Sequence, residues 1–364
     1  AGTLALSSPP PVARYLIIRL SALGDVAMLL QVLYAVAAAN EQHEFVLLTQ
    51  PFMTELLVNS PDNVEAMAID VRGEERSLLG LLRYGGRLHR ENFDAVLDLH
   101  DVLRSKLLRT YLWATGVPFL HLKKPRRERK HLLQYGYRSD ADAVPPMWQL
   151  YLRVFQLAGL KVPESIPPIA IHPLQQEAFE RRYPSLAKVE HERLRLGIAP
   201  FASSPAKTYD LEKMKEVLRG LVATGRFDIF LFGGRGREQA TLESWASELE
   251  GVRSVAGQLD LSDELLLIGS LHGMVSMDSA NMHLASLMGV RVISVWCCTH
   301  PAAGFLGIGQ HLEDCVQPAD APHRPCSIFG DNKTCRTGAD YACSRAIPAE
   351  TLLKAILQLL PENE

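Results

Sequence analysis

Four short stretches combine residues that do chemistry with small residues that expose backbone. "RLSALGDVAML", residues 19–29, passes from an apolar run into a helical one through Gly24 and sets Asp25 at the helix start. Glycine lets a backbone turn tightly and approach a ligand. Asp25 has two readings, a helix cap or first-turn acid, or a carboxylate kept ionised by the helix start and able to accept a proton. "APFASSPAKTYD", residues 199–210, places Ser203 and Ser204 beside Lys207. Small hydroxyl residues there leave N–H groups accessible near a cation, although an exposed loop lysine would look the same. "FGGRGREQA", residues 232–240, is a glycine-rich turn with Glu238 at the next helix start. Glu238 is a helix-starting acid or the partner of a ribose hydroxyl pair. "DSANMHLASLMG", residues 278–289, follows the strand-like "HGMVSM". Its helix start offers Ser279 and unpaired N–H groups to a phosphate, with His283 one turn further in as another donor or as a satisfied half-buried histidine.

The elements that must carry these residues follow a pattern. Strand-like runs ("YLIIRL", "EFVLLT", "FDAVLDLH") alternate with helix-like stretches, which predicts parallel βαβ units. After the Pro-rich "VPESIPPIAIHP" the pattern restarts with "RLRLGIAP", "FDIFLFGG", "HGMVSM" and "RVISVW". With 364 residues, two domains are expected. We read an α/β chain of two Rossmann-like, doubly wound domains facing across a cleft. A loose N-terminal tail covers 1–13, an N-terminal domain 14–168 and a C-terminal domain 169–347, with the hinge near 165–173. The last helix, 348–364, is expected to pack back across that hinge. Each candidate residue then falls at the carboxyl end of a predicted strand, where doubly wound sheets bind ligands.

Composition narrows the function. The formal net charge is −3, which excludes a general nucleic-acid binder, and 47% hydrophobic residues suit two ordinary cores. No run approaches a membrane span and the first residues lack a secretory pattern, so a cytoplasmic location is expected. After the first strand, "RLSALGDVAML" has too few glycines for a GxGxxG fingerprint. All six cysteines lie in the last quarter, with no CxxC spacing. Free thiols are the first reading, and a disulfide or metal clamp from Cys315, Cys326, Cys335 and Cys343 the second.

Taken together and in this order, the motifs resemble glycosyltransferase family nine, the heptosyltransferases that use ADP-heptose to build the inner core of lipopolysaccharide. "DSANMHLASLMGVRVISVW" is the most specific segment, supported by "LSALGD", "FGGRGRE" and "DLHDVLRS". The resemblance spans about Arg14 to Leu360. It implies the GT-B fold, a nucleotide sugar (an ADP-sugar) on the C-terminal domain and an anionic, lipid-linked saccharide acceptor on the N-terminal one, with peripheral contact at the inner membrane surface. The expected donor residues are Ser203, Ser204, Lys207, Glu238, Asp278, Ser279, Ala280, His283 and Thr299, and the expected base is Asp25. Neither a cofactor nor a metal is expected. Two departures stand out: "CCTHP" keeps Thr299 and Pro301 of the family's Gly-Pro-Thr-Asp-Pro, and His100 and Asp101 replace its usual Gln and Gly. A silent sugar-nucleotide binder and a sugar-nucleotide epimerase are the alternatives.

The run 121–138 holds seven Lys or Arg against the single acid Glu128. It reads as a solvated face or, given that acceptor, as an anion-holding segment in which Lys123, Lys124, Arg126 and Arg127 act with Arg104.

Overall fold

The computed structural model describes residues 11–187, 193–321, 323–331 and 341–360. Residues 1–10 of the expected tail and Cys335 lie outside the described residues. Ala13, at the end of that tail, is buried and donates its N–H to His43 Nδ1 at 3.1 Å.

The chain forms two compact units, residues 1–124 with 147–169, and residues 125–146 with 170–364. The first contains β1 (Arg14–Ile18), α1 (Leu23–Ala38), β2 (Glu44–Thr49), β3 (Val64–Ala68), α2 (Leu78–His89), β4 (Ala95–Asp98), α3 (Leu103–Ala114) and β5 (Phe119–His121). The chain then contributes α4 (Arg126–Tyr135) to the second unit and returns with α5 (Met147–Leu157) to the first. The five strands are parallel in the order β3-β2-β1-β4-β5. The apolar residues of β1, β2 and β4 are buried, among them Leu16, Ile18, Val46, Leu48 and Val96, which is why these three segments read as hydrophobic runs.

The second unit continues with α6 (Pro173–Arg182), α7 (Pro184–Ala187), β6 (Leu194–Ala199), α8 (Leu211–Ala223), β7 (Phe227–Leu231) and α9 (Arg237–Glu248). Then come β8 (Val252–Ser254), α10 (Leu261–Gly269), β9 (Gly273–Met277), α11 (Ala280–Leu287), β10 (Val292–Val295), β11 (Cys315–Val316), α12 (Ala342–Ala346) and α13 (Ala349–Leu359). Its sheet runs β11-β10-β9-β6-β7-β8. All of its pairings are parallel.

Two expectations about the chain's course change. A single crossing at 168 placed the whole basic run in the first domain, whereas 125–146 clusters with the second unit. The reason is apolar: Leu132 and Val144 are buried in one cluster with Ala303 and Ile328, and the Arg129 guanidinium lies over the Phe305 ring at 4.6 Å. The last helix, expected to cross back, packs in the core of the second unit through Leu352 and Ile356.

In each sheet the winding direction reverses once, between β1 and β4 in the first and between β6 and β9 in the second. Ligands of doubly wound sheets bind outside the carboxyl ends at such a reversal. Asp25 follows β1 and His100 follows β4, while Lys207 follows β6 and Asp278 follows β9.

Candidate functional site

In the second unit, pairing of Ala199 with Ser276 brings the ends of β6 and β9 together. The turn after β6 is built by Ser204, whose Oγ accepts from the Ala206 N–H at 3.2 Å and donates to the Gly330 carbonyl. It aims Lys207 across to β9, where Nζ lies 3.0 Å from Asp278 Oδ2, the two side chains being only 11% and 7% exposed. Gly330 lets the Lys207 stem pass: its φ is +72°, and a Cβ there would sit 2.2 Å from Lys207 Cδ. Ser279 is the N-cap residue of α11 but makes no side-chain capping bond; its Oγ lies 3.1 Å from Ser276 Oγ. The start of α11, from Ala280, thus has no side-chain cap, and the buried His283 is one turn in. A cation beside such a helix start suits a diphosphate.

Glu238 turns back on its own loop, its Oε2 accepting the Gly234 N–H at 2.7 Å. Ser203 is exposed. Thr299 is fully buried, and its carbonyl accepts from Arg324 Nη2 at 2.7 Å. Of the departures in "CCTHP", Cys297 and Cys298 are buried and His300 is half-buried. Burial pushes the Cys298 thiol up to about 12 and, with Arg324 adding to it, holds the His300 imidazole down at about 4. His300 Nδ1 accepts the Ala302 N–H at 3.1 Å. Among the described residues no cysteine forms a disulfide and no group of three or more His, Cys, Asp or Glu is placed to hold a metal.

In the first unit, Ile18 pairs with Asp98, so the turns after β1 and β4 are neighbours. Arg19, buried, reaches Asp25 Oδ2 with Nη2 at 2.6 Å and the Leu99 carbonyl with Nη1 at 2.7 Å. The cap reading of Asp25 holds only weakly, since Ala22 N–H donates to it at 3.4 Å; Arg19 is the stronger partner and fixes its direction. His100 Nδ1 accepts the Leu20 N–H at 3.3 Å, which assigns the proton to Nε2, 3.3 Å from Ser21 Oγ. Burial, with Arg19 and Lys124 adding to it, pushes this imidazole down to about 3, so it is neutral. Beneath it Asp98, fully buried, accepts the His100 and Asp101 N–H groups at 3.0 and 2.9 Å and Arg109 Nη1 at 2.7 Å.

Of the expected anion-holding residues, Lys123 and Arg104 are exposed on the first unit, and Lys124 Nζ donates to the Asp101 carbonyl at 3.4 Å. Arg126 and Arg127 are exposed on the second. The structure therefore does not gather all five on one unit.

The family model for glycosyltransferase family 9 (heptosyltransferase) matches residues 81–321. The chain belongs to glycosyltransferase family 9. This family 9 enzyme is 25% identical over 305 residues to lipopolysaccharide heptosyltransferase 2 of Escherichia coli K12, covering 79% of this chain and 84% of that one. In fold it is similar to a family 9 glycosyltransferase of Veillonella parvula, with a TM-score of 0.74, 16% identity and coverage of 96% and 98% of the two chains. It is likewise similar to the E. coli ADP-heptose lipopolysaccharide heptosyltransferase II, with a TM-score of 0.69, 18% identity and coverage of 95% and 98%.

Sequence reasoning missed Arg19 and the Asp98–Arg109 pair of this glycosyltransferase. A signal was available for Arg19 and Asp98: each is a charge set in or beside an apolar strand, "YLIIRL" and "AVLDLH", and such a charge needs a buried partner.

Proposed function

We propose that this glycosyltransferase transfers a heptose, with inversion, from ADP-heptose to a saccharide hydroxyl of a lipid-linked, anionic inner-core acceptor at a membrane surface. Asp25 takes the proton of the attacking hydroxyl, whose oxygen bonds to the anomeric carbon from one face. The diphosphate departs from the opposite face with the electron pair of the broken C–O bond, through an oxocarbenium-like transition state. Lys207, Ser279 and the N–H groups at the start of α11 stabilise the charge that develops on the diphosphate. Lys207 carries three N–H donors, so it can keep Asp278 and still reach a phosphate oxygen. Asp278 also meets a sugar hydroxyl, and Glu238 the ribose. His100 and Arg19 hold the turn that carries the base, and Lys123, Lys124 and Arg104 meet the acceptor's anionic groups.

What supports this reading most is the Lys207–Asp278 pair, 3.0 Å apart beside an uncapped helix start at a winding reversal, in a chain of this family. No helix among the described residues is long and apolar enough to cross a membrane. The test is turnover with ADP-heptose, followed by mass spectrometry and by NMR of the new anomeric linkage, with and without acceptor and with a chelator present. Transfer requires the acceptor and survives the chelator. Epimerisation without acceptor, or tight donor binding with no product, would replace the proposal with one of the two alternatives.

A further inference from the structure

The first unit carries an apolar face that its own fold leaves uncovered. At the N-terminal turns of α2 and α3, Leu78, Leu79, Leu82 and Leu103 are 57%, 59%, 40% and 74% exposed. Leu78 and Leu103 flank a groove of about 390 Å³ whose rim includes Arg76 and Arg104 and whose floor includes Leu81 and Leu107. Leu78 and Leu82 are one helical turn apart and so share a side, as do Leu79 and Arg83. Single exposed leucines are ordinary, but two beside one groove, with Leu79 and Leu82 exposed on the same helix as one of them, are a patch.

The charge on this face is mainly positive. Leu78–His89 and Leu103–Ala114 contain no Asp or Glu, and Arg83, Arg87 and Arg104 are exposed. Of the acids next to these helices in sequence, Glu75 is buried, Asp101 is paired with Arg109 at 3.0 Å and Lys106 at 3.5 Å, and Glu91 is paired with Arg14 at 3.3 Å, which leaves the exposed Glu74. A protein partner would be held through fixed polar contacts around a buried anchor. Leucine tips ringed by long arginines that outnumber the one exposed acid instead suit a fluid anionic surface. The leucines enter the acyl boundary while guanidinium groups remain at headgroup level.

We infer that the N-terminal turns of α2 and α3 are the face by which the first unit docks on an anionic lipid bilayer. α3 starts two residues after Asp101, so docking brings the turn that holds His100 close to the bilayer. The inference rests on the proposed function only in taking the acceptor to be lipid-linked, and its test needs neither donor nor acceptor.

The full chain is floated with vesicles of phosphatidylethanolamine containing a minority of phosphatidylglycerol, and with vesicles of phosphatidylcholine alone. Binding to the anionic vesicles only, weakening with salt, is expected. Leu78→Glu with Leu103→Glu, both at exposed positions, should lower that partition about tenfold or more with an unchanged melting temperature. Arg83→Glu should lower it less and remove part of the salt dependence. Turnover of a water-soluble acceptor saccharide should be unchanged in the leucine variant, while turnover of the acceptor in vesicles falls. Equal binding of wild type and leucine variant, equal binding to both vesicle types, or no binding overturns the inference. So does a wild-type dimer that the leucine variant dissociates, which would make the face a contact between two copies. Vesicle binding in the absence of any sugar transfer would leave docking standing and remove the proposed function instead.

Discussion

Replacing Asp278 with Asn keeps its shape but removes the charge opposite Lys207. At 3.0 Å and an effective dielectric near 20, the gross attraction is on the order of 5 kcal/mol. Desolvation of both groups offsets much of it, and taking one partner from a buried pair costs about 3–5 kcal/mol. Both side chains keep slight exposure, so about 2–4 kcal/mol is expected, or roughly 5–10 °C in the melting of a unit this size. ADP should behave in the opposite sense. A diphosphate supplies the negative charge that Lys207 lost and no longer meets a carboxylate, so ADP should bind Asp278→Asn about tenfold more tightly, equivalent to about 1.4 kcal/mol. Thermal melting without ligand and calorimetric titration with ADP at moderate salt measure the two effects separately. If the apo variant is destabilised while its ADP affinity is unchanged or weaker, Lys207 does not meet the diphosphate, and the donor assignment on the second unit is refuted.

Asp25→Asn should lower kcat about 10²–10⁴-fold, the usual range for a general base, with donor KM little changed; undiminished turnover would leave Asp25 as the partner of Arg19 and no more. His100 is about 3 when folded and near 6.5 when unfolded, so the unfolded chain takes up the proton first. The stability that neutral His100 contributes is complete above pH 6.5 and is lost as pH falls toward 3. His100→Gln should therefore flatten the acid side of the stability–pH curve by a few kcal/mol at most, and an unchanged slope would show that the ring is not held neutral. Reversing Lys123 and Lys124 to Glu should raise acceptor KM in a salt-dependent way, whereas the same change at Arg126 and Arg127, on the other unit, should do so less. Equal effects of the two pairs would count against assigning the acceptor to the first unit.

The strand and helix pattern was legible because strands buried on both faces are written as unbroken apolar runs. For the same reason Asp25, Lys207 and Asp278 could be set at strand ends from sequence alone. Their partners could not. Lys207 and Asp278 meet because β6 pairs with β9, a choice of strand order that no local spacing records. Arg19 is one letter within the strand-like run "YLIIRL", and only the fold gives it its Asp25 and Leu99 contacts. Thr299, marked by its match to a family motif, is fully buried, and its backbone is what Arg324 holds. The basic run looked like one feature because its charges are consecutive, yet the fold divides it after Lys124, since Leu132 and Val144 bury their apolar surface elsewhere.

That division has a consequence for synthesis and for engineering. On the ribosome, the first unit cannot close when its fifth strand emerges, because α5, with Tyr151 and Phe155 fully buried, is still to come. Meanwhile residues 125–146 leave the tunnel well before the segments they will pack against. Their leucines must wait, exposed, for Ala303 and Ile328, the situation in which nascent chains call on chaperones. A hybrid enzyme made by a single cut at the Pro-rich hinge would carry α4 from the wrong parent. One that respects this architecture needs three junctions, after residues 124, 146 and 169.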